Sequence, residues 1–344
     1  MLSELSYANG RPKSSGQIKS VPDDFCVEEN LGFELTGEGE HLFLLIEKKL
    51  LNTEEMTKII AQELSLPLKA ISYAGMKDKF AKTTQWFSLH LPGMDDPTLD
   101  CLTTENYRVL KAIRHNKKLR IGALKGNHFT IKINNFDIDI NDLSTRIENI
   151  KANGVPNYFG PQRFGHNGSN LQRAKEVLLD NKKIKNRHLR GIYLSAARSF
   201  LFNHILSDRV DNACWNLPLP GDLMMLAGSH SVFPIDTVDD EIMQRISEHD
   251  IFPAAPLWGT GKELLTDQAL QTQSNALEPW RDWCEALERH NLQKLYRSIV
   301  LLPENLKLTD NVFTFSLPTG SFATTLLREL LMSDTTTSSN ESGA

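Results

Sequence analysis

The sequence predicts an α+β protein in which a strand-rich domain is interrupted by a helix-rich segment. Up to about residue 150, apolar residues recur at every second position in several segments, among them residues 83–91, which is the period of a strand. Helical patterns dominate after a stretch at residues 154–170 that is rich in Gly, Pro and Asn. Residues 312–318 again have a strand pattern, and residues 321–331 have a helical one. A lone strand and helix cannot build a core, so we expect both to return to the first domain.

Local patterns predict the helices. Asn52 precedes an apolar pattern of helical spacing that runs to Leu64, and Glu55 stands where a capping box needs it. A second helix begins at Asn141 and is stopped by Gly154. Further helices are predicted at residues 171–179, at residues 192–206, at residues 239–247 and, as a long one, from Asn275 towards Ile299.

The composition is that of a soluble globular protein of two domains. The chain has 344 residues, of which 40% are apolar and 24% are charged. Its apolar runs are far shorter than the ~20 residues of a membrane span, and its first residues lack the pattern of a secretory signal. The 4 cysteines lie far apart and have no histidine pairs nearby, which argues against a disulfide framework and against a zinc site. We therefore expect a cytoplasmic protein that binds neither a metal nor a membrane.

The charges are unevenly distributed along the chain, although the formal net charge is only −5. Residues 106–136 hold 8 Lys or Arg and no Asp or Glu, and residues 161–200 hold 9 basic residues against 2 acidic ones. Residues 236–250, by contrast, carry 6 acidic residues and 1 Arg. This segregation favours a basic face that binds a polyanion, although solvated faces that balance one another in the fold would give the same pattern.

Asp78 stands between two lysines in the segment YAGMKDK, residues 73–79, directly after a glycine turn. An ordinary solvated turn has the same composition, because Gly and Asp favour turns and Lys keeps them in water. A functional carboxylate presented at the end of a buried segment is the other interpretation. The segment alone does not decide between the two.

Other catalytic motifs are incomplete. The segment WGTGKE, residues 258–263, lacks the first Gly of a phosphate-binding loop and has Glu263 where Ser or Thr is required. The neighbouring acids Glu28 and Glu29 would point to opposite faces of a strand, so their adjacency does not make a catalytic pair.

Six segments resemble, in their order and spacing, the tRNA pseudouridine synthase D (TruD) family. They are VPDDFCVEE, YAGMKDK, GALKGNHF, VPNYFGPQRFG, LSAARSFLFN and GSFATTLLREL. The resemblance runs from Lys19 to Arg328, and residues 208–303 are its least diagnostic part. It implies an α+β fold in which a pseudouridine synthase catalytic domain, built on a mixed, mostly antiparallel sheet with helices, is interrupted by a family-specific, helix-rich α+β insertion domain. The domains are then expected at residues 1–152 plus 304–332 (catalytic), residues 153–303 (insertion) and residues 333–344 (a disordered tail).

The same resemblance implies a function and a set of site residues. The function is isomerisation of uridine 13 of tRNA to pseudouridine without a cofactor, by an enzyme that we expect to act as a monomer. Asp78 is implied to be the catalytic nucleophile. The implied substrate-binding residues are Lys19, Phe25, Asn127, Phe129 and Phe322.

The chemistry of these residue types agrees with that role. The isomerisation replaces an N–C glycosidic bond by a C–C bond without redox change, and one carboxylate suffices as nucleophile, either at ribose C1′ or at C6 of the base. The base must leave its stack, so an aromatic ring must hold it, and Phe129 fits. Lys77 and Lys79 would favour an ionised Asp78 beside the base, or would grip phosphates. A non-catalytic RNA-binding protein and a metal-free nuclease remain open as alternatives.

Overall fold

The structure is a computed structural model that describes residues 5–335. Its strands in chain order are β1 (Ser15–Ile18), β2 (Phe25–Asn30), β3 (His41–Lys49), β4 (Ile71–Tyr73), β5 (Lys82–His90), β6 (Tyr107–His115), β7 (Gly126–Lys132), β8 (Asn134–Asp137), β9 (Val155–Pro156), β10 (Leu223–Leu226), β11 (Val232–Pro234), β12 (Ile251–Leu257), β13 (Leu295–Ser298), β14 (Val300–Leu301), β15 (Glu304–Thr309), β16 (Val312–Pro318) and β17 (Met332–Thr335). Its helices in chain order are α1 (Thr53–Glu63), α2 (Ile140–Asn153), α3 (Ser169–Leu178), α4 (Arg187–Asp211), α5 (Asp240–Ser247), α6 (Asp267–Leu277), α7 (Arg281–Glu288) and α8 (Ala323–Leu330).

The described chain divides into two compact units. The sheet unit comprises residues 13–140, 303–320 and 331–335. The helical unit comprises residues 5–12, 141–302 and 321–330. Each unit therefore contains segments from both ends of the chain.

An 8-stranded sheet forms the centre of the sheet unit, in the order β15–β16–β7–β2–β5–β3–β6, with β4 attached to β5. Every neighbouring pair in it is antiparallel except β2 and β5, which run parallel. The C-terminal strand β16 pairs with β7 from Val312 to Pro318. The prediction of a mixed, mostly antiparallel sheet with helices is confirmed.

Helix α1 covers one face of this sheet and begins at the capping box that the sequence predicts. The Asn52 side chain accepts the Glu55 N–H at 2.8 Å, and the Glu55 carboxylate accepts the Asn52 N–H at 2.8 Å. Met56 and Ile60 pack into the same apolar cluster as Phe87 of β5. The first turn of α1 is thereby fixed on the sheet, which matters for the loop described below.

Helix α4, 25 residues long, lies at the centre of the helical unit. It packs against α3, α6 and β12, and its Leu201 and Phe202 are completely buried. A 4-stranded sheet in the order β11–β10–β12–β13 completes this unit, so its α+β character agrees with the predicted fold class.

The long helix predicted from Asn275 towards Ile299 is wrong. Helix α6 ends at Leu277, a 3₁₀ turn follows at Glu278–Trp280, α7 ends at Glu288, and β13 occupies Leu295–Ser298. Pro279 in that turn has no N–H to continue the helical hydrogen bonds.

The predicted domain boundaries stay a prediction. Strands β15 and β16 lie in the sheet unit, and α8 lies in the helical unit. Of the tail predicted to be disordered, residues 333–335 belong to β17, and residues 336–344 lie outside the described residues. Within residues 5–335, each helix is too short or too polar to cross a bilayer.

Candidate active site

The loop that carries Asp78 connects β4 with β5, and buried side chains of neighbouring elements hold it. The Gln85 amide donates to the Gly75 carbonyl at 2.7 Å, and the Lys77 N–H donates to Thr53 Oγ1 at 2.9 Å. Thr53, the first residue of α1, donates its hydroxyl to Gln85 Oε1 at 3.0 Å. Both Gln85 and Thr53 are fully buried. The backbone that leads to Asp78 is therefore fixed by the sheet and by the start of α1.

Lys19 supplies the cation that pairs with Asp78. Its Nζ lies 2.7 Å from Asp78 Oδ2, and the side chains of the two residues are 17% and 43% exposed, respectively. The carboxylate is thus accessible, while its counter-ion is largely covered. Lys19 has a φ of +59°, in the left-handed region, which costs a non-glycine residue ~1–3 kcal/mol. Its ammonium also lies 4.2 Å from the centroid of the Phe25 ring, which is a cation–π distance.

The two lysines that flank Asp78 differ sharply in their surroundings. Lys77 Nζ lies 2.5 Å from Glu29 Oε1, and these side chains are 9% and 0% exposed. Lys79 pairs with Glu55 at 3.0 Å, and these side chains are 45% and 36% exposed. The interpretation that Lys77 grips a phosphate is wrong, because its ammonium is buried on Glu29.

Glu29 is the buried anchor of the loop. Its Oε2 accepts the N–H of Trp86 at 2.8 Å while Oε1 pairs with Lys77. Burial raises the pKa of the Glu29 carboxyl, and the charge of Lys77 acts in the opposite direction. Since β2 and β5 carry Glu29 and Trp86, the ion pair connects the Asp78 loop to the middle of the sheet.

Phe25 and Phe129 form an aromatic cluster next to Lys19. Their rings meet edge to face with centroids 6.2 Å apart, and Phe129 also stacks on Phe315 at 5.3 Å. Phe25 is 4% exposed and Phe129 is 6% exposed, so both are set rigidly in the sheet unit. The expectation that Phe129 stacks on a target base stays a prediction.

Asn127 lies directly opposite Glu29 in the pairing of β7 with β2. Opposite residues of paired strands point to the same face, so the Asn127 carboxamide shares the face of the sheet that holds Glu29 and the aromatic cluster. Its Oδ1 is buried and makes no hydrogen bond with residues 5–335. Such a buried acceptor costs ~1–3 kcal/mol, which a ligand with an N–H donor would offset.

Phe322 lies in the helical unit, directly before α8. Its ring meets that of Phe159 edge to face at 6.0 Å, and its carbonyl accepts the Thr325 N–H at 3.1 Å. Because Phe322 and Asp78 belong to different units, the expectation that Phe322 lies beside the site stays a prediction.

An open pocket of about 810 Å³ lies elsewhere in the sheet unit. Phe33 and His115 stack on one another there at 5.4 Å, and Phe33 is 41% exposed. Three exposed cations also line the pocket, and none makes an ion pair with residues 5–335: Lys117, Lys118 and Arg120. The basic residues at positions 117–120 therefore lie at the same pocket as an exposed aromatic ring, that of Phe33.

Sequence reasoning missed the residues that hold the site, although one signal was available. In β2, Phe25, Val27 and Glu29 share one face because of the strand period of two, and all three are buried. A carboxylate on an otherwise apolar strand face predicts a buried partner. Which lysine provides that partner depends on the long-range pairing of β2 with β5 and could not be read from spacing.

The chain matches the family of tRNA pseudouridine synthase D (TruD) over residues 2–185 and 181–330. It is 47% identical over 329 residues to a tRNA pseudouridine synthase D of Legionella pneumophila (strain Corby), covering 94% of this chain and 97% of that protein. It is 40% identical over 338 residues to a tRNA pseudouridine synthase D of Aeromonas hydrophila, covering 97% and 96%.

The fold is similar to a crystal structure from Methanosarcina mazei that is described as a tRNA pseudouridine synthase D. The TM-score is 0.69 at 21% sequence identity, and the match covers 95% of each chain. The structural match shows an α+β fold, and the sequence matches define the class of protein as a pseudouridine synthase. Within that class, this chain belongs to the tRNA pseudouridine synthase D family.

Proposed function

We propose that this enzyme isomerises uridine to pseudouridine at position 13 of tRNA, with Asp78 as nucleophile and no cofactor. The observation that carries the proposal is the accessible Asp78 carboxylate, ion-paired with Lys19 on a loop anchored by buried groups, in a chain of the tRNA pseudouridine synthase D family. An ordinary solvated turn would have no need of this anchoring.

The reaction balances without an external reagent. The bond from C1′ of the ribose to N1 of uracil breaks, and a bond from C1′ to C5 forms. The proton on C5 leaves, and N1 gains a proton. Asp78 attacks either C1′ or C6 to form a covalent intermediate, and both routes return the carboxylate free at the end.

The surrounding side chains have roles that follow from their contacts. Lys19 holds the carboxylate by its ammonium at 2.7 Å and limits its rotation. Asn127 Oδ1, a buried acceptor that lacks a donor, suits the N3–H of a flipped uracil. The edge-to-face pair of Phe25 and Phe129 offers a flat apolar border for the base.

Binding of the tRNA itself requires contacts to phosphates. The exposed cations around Lys117 and Lys118, next to the exposed Phe33 ring, provide charge and a stacking surface of the kind that RNA-binding proteins use. We assign this pocket to the tRNA outside the target nucleotide, because Asp78 is not among its lining residues.

Release of tritium from tRNA that carries 5-tritiated uridine tests the reaction. The wild-type protein should release tritium in water without cleaving the strand and without added metal or cofactor. A tRNA with cytidine at position 13 should release none. Strand cleavage would instead indicate a nuclease, and binding without tritium release would indicate an RNA-binding protein.

Replacing Asp78 tests the nucleophile. Asp78→Asn should abolish single-turnover tritium release, because a neutral amide cannot attack C1′ or C6. Asp78→Glu should lose ~100-fold or more, because one methylene shifts the attacking oxygen by ~1 Å. Filter binding should show nearly unchanged tRNA affinity for both variants, since affinity is spread over many phosphate contacts. Turnover above roughly 1% of wild type in folded Asp78→Asn would contradict the assignment.

A further inference from the structure

Two arginines of the helical unit face one aromatic ring, and a third lies nearby on α4. We call the three the arginine cluster: Arg163, Arg297 and Arg198. The guanidinium carbons of Arg163 and Arg297 lie 5.5 Å and 4.3 Å from the centroid of the Phe159 ring. Arg198 is the sequence neighbour of Ser199 on α4, whose hydroxyl accepts from Arg163 Nε at 3.1 Å. The charge of Arg163 accordingly contributes to lowering the pKa of Arg198, after the larger effect of burial. All three side chains are partly buried. Three like charges are thus gathered in a restricted volume.

The protein partners of Arg163 and Arg198 are neutral. Arg163 donates to the hydroxyls of Ser199 and Ser195, both on α4. Arg198 donates to the carbonyls of Leu257 and Gln293, each at 2.7 Å. The buried Nε of Arg198 has no hydrogen-bond acceptor, and neither arginine makes an ion pair, among residues 5–335. The hydroxyls and carbonyls orient the guanidinium groups without neutralising them.

This arrangement is costly for the protein alone. Burial lowers the pKa of Arg163, and burial together with the charge of Arg163 lowers the pKa of Arg297 to about 10. Buried charges in proteins are ordinarily paired with opposite charges. An anion placed among these guanidinium groups would offset their mutual repulsion. It would also supply the acceptor that Arg198 Nε lacks among residues 5–335.

The segment VPNYFGPQRFG supplies Arg163 and the Phe159 ring to this cluster, and the proposed chemistry gives the segment no other role. Asn157 accepts from Arg297 at 2.5 Å, Phe159 lies beneath the guanidinium groups, and Arg163 follows after one turn. Gly160 lets the Phe322 ring approach closely, since a Cβ there would lie 3.1 Å from a carbon of that ring. The cluster therefore adjoins Phe322, the residue of this unit that we expect near the target base.

We propose that the arginine cluster binds a phosphate group of the RNA backbone. The planar fork of a guanidinium matches a phosphate in bidentate geometry, and the half-buried setting strengthens these bonds. That the phosphate belongs to a tRNA rests on the proposed function, whereas the binding of phosphate rests on the cluster alone.

Replacement of Arg163 tests the site, with Arg173 as the matched control. Arg173 lies in the same unit but is 50% exposed and ion-paired with Glu176. In filter binding with unmodified tRNA, Arg163→Gln should raise the Kd about ten-fold at 0.1 M salt, the loss expected for one hydrogen-bonded charge. It should also reduce the slope of log K against log salt by ~0.7–0.9. Arg173→Gln should change neither.

Inorganic phosphate distinguishes a site for an RNA phosphate from a site for a free anion. At matched ionic strength, phosphate should raise the Tm of the wild-type protein above its value in chloride, and Arg163→Gln should lose this increase. Loss of the Tm effect with an unchanged tRNA slope would overturn the RNA assignment in favour of a site for free anions. An unchanged slope without any phosphate effect would overturn the site altogether.

A second variant keeps the test decisive if the first one does not fold. If Arg163→Gln does not fold, as judged by far-UV circular dichroism, Arg163→Lys carries the test. That variant keeps the charge but loses the fork, so it should keep the salt slope and lose most of the phosphate effect. Full retention of the phosphate effect would overturn the proposal. Because these are binding assays on tRNA, a wild-type protein that released no tritium would refute the proposed function and leave the phosphate site standing.

Discussion

Replacing Lys77 with Met should destabilise the sheet unit and the Asp78 loop, whereas the same change at Lys79 should not. Lys77 and Glu29 are buried together, with side chains 9% and 0% exposed. Removal of the ammonium takes away the direct ion-pair partner of the Glu29 carboxylate in a dry environment and leaves only the weaker effect of the buried Lys48. Lys79 pairs with Glu55 in water, where an ion pair contributes ~0–1 kcal/mol.

The expected loss of unfolding free energy follows from how the Lys77→Met variant responds at least cost, which is by protonating Glu29. An ordinary glutamate has a pKa of 4.5. Protonating such a group at pH 7 costs about 3 kcal/mol, at ~1.4 kcal/mol per pH unit, and at pH 5 it costs only about 0.7 kcal/mol. In the variant, the folded state holds this proton and the unfolded state releases it above pH 4.5, so the stability of the variant falls as pH rises.

Urea denaturation at pH 5 and pH 7 measures this difference. Lys77→Met should lose about 3 kcal/mol of unfolding free energy at pH 7 and under about 1 kcal/mol at pH 5. Glu29→Gln in the Lys77→Met background should recover most of the loss at pH 7, since the amide is neutral and retains an acceptor for the Trp86 N–H. Single-turnover tritium release should fall in Lys77→Met and remain near wild type in Lys79→Met.

Two results would refute this reasoning. A loss of stability that is equal at pH 5 and pH 7 would mean that Glu29 is not the group left unpaired. Equal effects of the Lys77 and Lys79 variants would mean that burial of the ion pair does not hold the loop.

The remaining predictions concern RNA binding and pH. Changing Lys117 and Lys118 to Ala should weaken tRNA binding and reduce the salt slope by about one to two units, at ~0.7–0.9 per phosphate contact, and an unchanged slope in filter binding would mean that this loop faces away from RNA. Burial raises the pKa of Glu329 from 4.5 to about 7, so its carboxyl contributes stability that is full below pH 4.5 and is lost as pH rises through 7. The change in unfolding free energy caused by Glu329→Gln, relative to wild type, should therefore be up to about 3 kcal/mol more favourable at pH 8 than at pH 4. Urea denaturation that gives the same change in unfolding free energy at both pH values would contradict this.

Local signals in the sequence predict the elements whose causes are local. The capping box at Asn52 and Glu55 fixes the start of α1 within the first turn. The alternating pattern of residues 312–318 gives the bounds of β16 without error. Short strands such as β10, Leu223–Leu226, carry no such signal, because four apolar residues in succession fit a buried helix equally well.

The resemblance to a family supplied the candidate nucleophile, but not the reason for its position. That reason is non-local: β2 and β5 run parallel with Val27 opposite Thr83, which places Glu29 beside Trp86. Parallel neighbours are joined by long crossover connections, here through β3, α1 and β4, so no window of sequence contains both partners.

Lys77 and Lys79 show the limit of spacing as evidence, because they are the same residue type on either side of Asp78. Lys77 donates its backbone N–H to the buried hydroxyl of Thr53, and its side chain extends to the buried Glu29. Lys79 lies beyond this hydrogen bond and reaches Glu55 at the start of α1. The cation that pairs with Asp78 is instead Lys19, 59 residues earlier in the chain. A turn that resembles a solvated loop in sequence is therefore an anchored one, since its flanking lysines pair with Glu29 and Glu55 and its central carboxylate pairs with Lys19.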